Sequence, residues 1–487
     1  MRTRFLLVTA ACGVLLAQTA DDVQQHLVGR AFTGTAILED LHELCDGIGG
    51  RPTGSPACNR AIDWAVAKFR AAGADSVVTE TFTVPKLWLP EAAEAECMAP
   101  ERFVLRVAAA PHSDSTNGPI EARLVDAGEG SPDAFAKLGA STRGAIALVM
   151  SREMRTFDDL FAEYTKSGPM LEAARKAGVA ALLLQSTRPH GLLYRHPLAN
   201  ANQAYALPAA IISREQAGRL ARLAAHGDVR VHLRLTNKTG SAYESRNVVA
   251  EIAGLERPEE IVLLGAHLDS WDLGTGAEDN GANSALVIDV LRGMKALGLK
   301  PRRTIRFVLF TGEEQGMFGS AGYVLRHATE MDRHNAVVIF DIGTGRTSGF
   351  LLNGREELRA PLEKALAGVA GLDAKENPVD GLDGTDNFDF LLSGVPNLVA
   401  NQDAAPYLPQ YHAESDTVDR VNARELRANT ALASALVWWL AEDSERFGRR
   451  QTRDEVMKLL IETRLDSQMK AFGQWEDFQG GRRGVGK

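Results

Sequence analysis

From residue 247 onward, short apolar runs alternate with a stretch of helical periodicity. Leu286, Val290, Met294 and Leu297 recur at the spacing of an amphipathic helix. Strands that alternate with helices of this length are typical of an α/β sheet covered on both faces. The predicted strands of this region cover residues 247–252, 261–265, 304–310 and 336–340.

The stretch 118–236 has a separate rhythm of short β-like and helical runs. Its apolar runs are flanked by turn residues on both sides, so the stretch predicts a self-contained insertion. We expect strands at 145–148, 180–184, 209–212 and 229–235, and helices at 169–177 and 214–225.

The two ends of the chain carry weaker patterns. Residues 22–72 are mainly helical, 77–84 alternate like a strand, and a loose Ala/Glu/Pro-rich segment continues to about residue 111. A strong helix is predicted at 423–441. Polar sequence follows, and we expect a C-terminal tail over 451–487.

The first 20 residues have the layout of a secretory signal peptide. Arg2 and Arg4 precede an apolar stretch, 5–17, and small residues follow it. A buried N-terminal helix is the alternative. No later segment reaches the roughly 18 apolar residues of a membrane helix. The sequence therefore predicts a secreted or periplasmic protein without a membrane span.

Composition limits the partners and the redox chemistry. The 487 residues favour two domains, and the net charge of −9 with no long basic run argues against a nucleic-acid partner. Cys45, Cys58 and Cys97 remain after the predicted processing. They fit either a Cys45–Cys58 disulfide or three buried thiols.

Candidate metal ligands follow three of the predicted strands. His267 comes after the run 261–264, the pair Glu313 and Glu314 after 305–310, and Asp341 after 337–340. In open α/β sheets functional groups gather where the strands end. Imidazole and carboxylate are ligands that zinc prefers in catalytic sites. The pattern predicts one metal site at this edge of the sheet.

Two further acids have settings that allow more than one role. Asp279 follows a glycine-rich loop at a helix start, where it either caps the helix or bridges two cations. Asp269 lies two residues after His267, on the same face of a strand, which suits a carboxylate that accepts the second ring N–H of His267.

The adjacent glutamates are expected to have two different roles. Neighbouring residues cannot easily bind one metal in the same way, so one of Glu313 and Glu314 is expected to bind metal and the other to act as a base. A pair of metal ions about 3.5–4 Å apart would activate water for direct hydrolysis. The chain has neither a G-x-S-x-G nor an H-E-x-x-H motif, which argues against serine hydrolases and single-zinc gluzincins.

These residues resemble the cocatalytic zinc exopeptidases of the aminopeptidase/glutamate carboxypeptidase type. The resemblance rests on GAHLDSWDLGTGA (265–277), EEQG (313–316) and GTD (384–386), and it extends from about residue 40 to 443. It implies two zinc ions. One would be bound by His267, Asp279 and Asp341, and the other by Asp279, Glu314 and His412.

The same resemblance assigns Glu313 as general base and Asp269 as the partner of His267. It implies an α/β fold with a mixed, mostly parallel sheet of about eight strands between helices. The catalytic domain would comprise 21–117 and 237–450, with 118–236 as an inserted protease-associated domain. A homodimer is also expected from the family. Tyr407 and Tyr411 are both candidates for stabilising an oxyanion.

The predicted function is hydrolysis of short peptides or dipeptides at one end. A glutaminyl-cyclase-like enzyme with one zinc is an alternative on a similar scaffold. A non-catalytic, receptor-like ectodomain is the other, although such relatives lose metal ligands that this chain retains.

Overall fold

The structure, a computed structural model, describes residues 20–199 and 205–486. The predicted signal peptide lies outside this range except for Ala20, at which the first helix begins. No helix of the described part has the length and apolar character needed to cross a bilayer.

The strands within the described residues belong to two sheets. In chain order they are β1 Ser76–Val84, β2 Leu87–Ala99, β3 Phe103–Leu105, β4 Val107–Ala109, β5 Ile120–Asp126, β6 Ile146–Val149, β7 Ala181–Gln185, β8 Ala209–Ile212, β9 Arg230–Gly240, β10 Tyr243–Ile252, β11 Arg257–His267, β12 Arg303–Phe310, β13 His334–Ile339, β14 Thr347–Leu351 and β15 Asn397–Gln402.

The α-helices of the same residues connect and cover these sheets. They are α1 Ala20–Thr33, α2 Ile37–His42, α3 Pro56–Ala71, α4 Pro132–Leu138, α5 Phe157–Ala177, α6 Arg214–Ala224, α7 Ala282–Ala296, α8 Phe318–Arg326, α9 Arg359–Leu366, α10 Phe388–Leu392, α11 Ala423–Glu442, α12 Arg453–Glu462, α13 Leu465–Ala471 and α14 Trp475–Gln479.

The first sheet is mixed and has seven strands among the described residues, in the order β1-β10-β12-β11-β13-β15-β14. Its centre is parallel, whereas β1, β10 and β14 pair antiparallel. The expectation of a mixed sheet is therefore confirmed, but three of its six strand pairings are antiparallel, so these strands are not mostly parallel. Continuous buried runs indicate the parallel centre, whereas hydrophobic periodicity does not give the direction of the strands at the edges.

The core of the first sheet places the candidate site. Strand β11 is buried from Ile261 to His267, and α7 and α11 pack against the sheet with almost wholly buried apolar faces. Parallel strands buried on both faces end at a common edge. His267 therefore lies at the centre of that edge, with the ends of β12 and β13 on either side of it.

The second sheet draws its strands from residues 87–240, in the order β3-β2-β9-β5-β6-β7-β8-β4. Strands β5 to β8 are parallel neighbours. The sheet starts upstream of Gly118, because β2, in the segment expected to be loose, pairs along its length with β9. The predicted domain limits and the protease-associated insertion at 118–236 stay predictions.

The C-terminal segment 451–487, expected as a polar tail, is folded over most of its length. Helices α12, α13 and α14 bury Leu460, Leu465 and Met469 against Phe388. The guanidinium of Arg483 donates two hydrogen bonds to Asp389, of 2.8 and 2.9 Å. Only a few apolar residues of this segment form the packing, so its polar overall composition led to the prediction of a tail instead of folded helices.

The cysteines Cys45, Cys58 and Cys97 are buried and unpaired. The expectation of buried thiols is confirmed and the Cys45–Cys58 disulfide is wrong. Burial raises the pKa of the Cys45 and Cys58 thiols to about 12, so both remain protonated.

Candidate metal centre

Three parallel strands and two loops bring the sequence-predicted residues together. His267 ends β11, the glutamate pair follows β12, and Asp341 follows β13. A short turn, Ala277–Gly281, brings Asp279 to the same edge, and His412 arrives from the loop after β15. All five candidate ligands are at most 7% exposed.

The five ligands form two groups that share Asp279. In the first, Nε2 of His267 lies 2.9 Å from Oδ1 of Asp341 and 3.2 Å from Oδ1 of Asp279. In the second, Nε2 of His412 lies 2.9 Å from Oε2 of Glu314 and 3.4 Å from Oδ2 of Asp279. Within each group the ligand atoms lie within 4.8 Å of one another, which is the separation expected around a single cation.

Backbone carbonyls fix the orientation of both histidines. Nδ1 of His267 is 2.9 Å from the carbonyl oxygen of Asp269, and Nδ1 of His412 is 2.9 Å from that of Arg195. A carbonyl can only accept, so each Nδ1 carries a proton and each Nε2 faces the carboxylates, where the neutral form of the ring would bind a metal ion.

The Asp269 carboxylate is not the nearest acceptor for His267. Its Oδ1 lies 3.7 Å from Nδ1, farther than its own backbone oxygen. The other oxygen, Oδ2, accepts a 2.6 Å hydrogen bond from Thr53, whose hydroxyl oxygen also accepts from the amide of Gly312. Asp269 thus orients His267 mainly through its main chain.

The electrostatics of the cluster fit a cation. Oδ2 of Asp279 and Oε1 of Glu314 are buried and have no hydrogen-bond partner among the described residues. Burial raises the pKa of Glu313 and Glu314 well above the usual value, raises that of Asp341 to about 6 and lowers that of His412 to about 4. Carboxylates buried this close together are costly without a positive charge between them.

His267 and Asp279 show how strongly the groups interact. Burial opposes the charged form of His267, but Asp341, Asp269 and Asp279 outweigh it and raise its pKa well above the usual value. Burial would raise the pKa of Asp279, yet the hydrogen bond from His267 and the charge of His412 lower it. Asp279 therefore favours its ionised form, as a ligand requires.

The turn of Asp279 is held by a residue that the sequence did not single out. Oδ1 of Asp416 accepts from the amides of Ala277 (3.0 Å) and Glu278 (2.6 Å), and Oδ2 accepts from that of Asp279 (3.2 Å). Helix α7 has no side-chain cap at its N-terminus. The capping role considered for Asp279 is therefore wrong, and its carboxylate faces the two histidines.

Asn280 and Thr53 were also missed. The Asn280 amide donates to Oδ1 of Asp341 at 2.8 Å, and Thr53 reaches Asp269 from a distant loop. Neither residue type indicates a site by itself. The only signals in the sequence are the position of Asn280 directly after Asp279 and the turn-rich surroundings of Thr53.

A cavity opens next to the cluster, and Glu313 lines it. Glu313 is half-buried and lies outside both ligand groups. The ring of Tyr411 stacks on His412, with centroids 3.7 Å apart, and its hydroxyl is 2.8 Å from that of Tyr164. Tyr407 lines the same cavity. Both tyrosines considered for the oxyanion thus lie beside the cluster.

Comparison with known proteins shows that this chain is similar to peptidases. Residues 247–437 match the model of peptidase family M28. Mouse carboxypeptidase Q is 28% identical over 88% of this chain and 91% of its own length, and the human protein is 29% identical over 90% and 91%.

Solved structures show the same fold. A peptidase M28 precursor from Shewanella amazonensis is 28% identical and superposes with a TM-score of 0.81, covering 89% of this chain and 99% of its own. A zinc aminopeptidase from Bacillus subtilis, 20% identical, shares the fold with a TM-score of 0.67 over 84% of this chain and 95% of its own.

The mixed sheet with its buried histidine–carboxylate cluster defines a metal-dependent hydrolase. Residues 247–437 match peptidase family M28, the chain is similar to carboxypeptidase Q over most of its length, and it is a hydrolase of the metallo-exopeptidase class.

Proposed function

We propose that this protein is an exported zinc exopeptidase that removes the N-terminal residue from short peptides or dipeptides. The observation that supports it most is the pair of ligand groups that share Asp279 while Glu313 remains outside both. His267, Asp279 and Asp341 would hold one zinc ion, and Asp279, Glu314 and His412 the other. The homodimer expected from the family stays part of this proposal.

Zinc ions bound at these residues would supply Lewis-acid activation of a water molecule and of the scissile carbonyl. Glu313 then takes the proton of the attacking water and delivers it to the departing amine. Its raised pKa, caused first by burial, suits a group that must both accept and release a proton. No residue of the chain forms a covalent intermediate in this scheme.

The charges of the cavity favour the amino end of a peptide. Its ionisable side chains are Glu313, Glu314, Asp341, Asp383, His412 and three tyrosines, and neither lysine nor arginine lines it among the described residues. Apart from the proposed zinc ions, the cavity offers a substrate carboxylate no cationic lysine or arginine among the described residues. An ammonium group would be attracted, so we propose recognition of a free N-terminus.

Asp383 is the residue we assign to that ammonium group. It is 1% exposed and lines the cavity, and neither of its carboxylate oxygens has a hydrogen-bond partner among the residues that the structure describes. A buried carboxylate that lacks a hydrogen-bond partner is stabilised when a positively charged donor binds to it. Several other lining residues are apolar, so we expect a preference for apolar N-terminal side chains. These apolar residues include Phe157, Leu160, Phe161 and Phe472.

A dipeptide library with free and acetylated N-termini tests the proposal. We expect cleavage of free-amino substrates with apolar first residues, none of acetylated ones, and complete loss of cleavage in a strong chelator. Activity that survives the chelator would contradict the metal mechanism. Cyclisation of glutaminyl peptides without hydrolysis would favour the cyclase alternative, and intact peptides together with no bound divalent metal would favour the receptor-like one.

A further inference from the structure

We propose that Arg195 is a positioning residue that ties the loop of Asp279 to the loop of His412. Through it, the second sheet would set the affinity of the zinc ion held by Asp279, Glu314 and His412. Arg195 lies in the 188–195 segment, which follows β7 of the second sheet. The inference rests on the proposed metal centre but not on the reaction that the centre performs.

The backbone of Arg195 holds His412 from two sides. Its amide donates to the carbonyl of His412 at 2.9 Å, and its carbonyl accepts from Nδ1 of the same residue at 2.9 Å. An antiparallel bridge between Tyr194 and Ala413 extends the contact. The histidine thus receives its tautomer and ring orientation from the second sheet.

The side chain of Arg195 holds the other loop. Its guanidinium donates to both carboxylate oxygens of Asp272, at 2.9 and 2.8 Å, and to the carbonyl of Ala109 at 2.6 Å. Asp272 belongs to the loop that leads from His267 to Asp279. One residue between β7 and β8 of the second sheet therefore contacts two of the three loops that supply ligands to this zinc position.

Neighbouring contacts make the junction rigid. Arg106 pairs with both oxygens of Glu414, at 2.9 and 2.8 Å, and Arg188 donates to the carbonyl of Tyr411 at 2.8 Å. The Arg195 side chain is only 5% exposed, so solvent screens its pair with Asp272 weakly. His412 also has a positive φ of 58°, a conformation that needs such external support.

The physical consequence concerns one zinc ion more than the other. His267 is oriented by Asp269 within the first sheet, whereas the orientation of His412 depends on Arg195. Partners that orient a ligand typically contribute 10–100-fold to metal affinity. Loss of the Arg195–Asp272 pair loosens the segment whose backbone orients His412, so it should weaken binding of the zinc ion at His412 more than that of the ion at His267, which shares only Asp279.

Zinc binding to the full-length protein tests this inference. After removal of metal, the affinities for zinc are measured by competition with a chromophoric chelator. We expect Arg195→Ala to weaken one of the two zinc affinities by about 10–100-fold and to change the other clearly less. Arg195→Lys should recover part of the loss, because an ammonium keeps the charge but not the two-pronged geometry.

Controls separate positioning from general loosening. Arg234→Ala removes an exposed ion pair of the second sheet, with Glu94, and should change neither affinity. Asp272→Asn breaks the same pair from the other side and serves if Arg195→Ala does not fold. Wild-type affinities in both variants, or equal weakening of both ions, would overturn the inference. If the wild-type protein binds two zinc ions but does not cleave peptides, only the proposed function is contradicted.

Discussion

The carboxylate of Asp416 holds Asp279 in place by binding the backbone of the Asp279 turn and not the Asp279 side chain. The amide of Asp279 donates to Oδ2 of Asp416 at 3.2 Å, and two preceding amides donate to Oδ1. Both carboxylate oxygens are needed as acceptors. The carboxylate of Asp279 is left free to face His267 and His412.

Asp416→Asn should therefore displace the shared ligand. The new amide group would turn a donor towards a backbone amide, and loss of a buried hydrogen bond costs about 1–3 kcal/mol. We expect lower thermal stability, measured by calorimetry, and faster loss of metal to a chelator. Asp419→Asn is the matched control because its side chain is 75% exposed. Unchanged metal retention in Asp416→Asn would contradict the positioning of Asp279 by Asp416.

Glu313→Gln tests the assignment of the base. Glu313 lines the cavity but lies in neither ligand group, so the variant should keep two metal ions per chain. General-base catalysis typically contributes 10²–10⁴-fold, and kcat should fall by about that factor. Plasma emission spectroscopy gives the metal content and a dipeptide assay gives kcat. Wild-type turnover would remove Glu313 from the mechanism.

His412→Ala should release one metal ion and retain the other. His412 is the only nitrogen ligand of its group, whereas the group of His267 keeps all its ligands. Metal analysis of the dialysed variant measures the effect. His226→Ala, at an exposed position, is the control and should keep both ions. Two retained ions in His412→Ala would exclude His412 as a ligand.

Asp383 makes the stability of the protein depend on pH. Burial raises its pKa to about 7, although Arg483 opposes this. The folded state binds the proton more tightly than the unfolded state, so this group's contribution to stability is present at pH 4 and is lost as the pH rises through about 7.

Asp383→Asn should remove the loss of stability that ionisation of Asp383 causes at high pH. One pKa unit corresponds to about 1.36 kcal/mol, so the variant should be more stable than the wild type at pH 8, by an amount on the order of 1 kcal/mol or more. At pH 4 the two should be equal. Urea unfolding at both pH values measures the difference. In kinetics, the same variant should raise KM for peptides with a free N-terminus. If the difference in free energy of unfolding between the wild type and the variant is the same at both pH values, the raised pKa of Asp383 is contradicted.

The sequence predicted the parallel centre of the first sheet well, because β11, β12 and β13 are continuous apolar runs. It also predicted that His267, Glu314 and Asp341 would meet, since ligands at the ends of adjacent parallel strands share one edge. It did not find β2. Pro90 and several glutamates and alanines lower the β-propensity of that strand, and pairing with β9 outweighs them.

Contacts between distant segments were beyond sequence reasoning. Asp416, Thr53 and Arg195 are ordinary polar residues in loops, and their roles arise only when the loops meet. The metal ligands could be recognised because their side chains have few other uses when buried together. The residues that orient them have many uses, so only the three-dimensional arrangement identifies them.

The central claim is that five buried side chains hold two zinc ions with Asp279 between them. An anomalous difference map from crystals of the zinc-loaded protein, collected at the zinc edge, tests it most directly. We predict two peaks about 3.5–4 Å apart, one beside His267 and Asp341 and the other beside Glu314 and His412. A single peak, or peaks away from Asp279, would contradict the account.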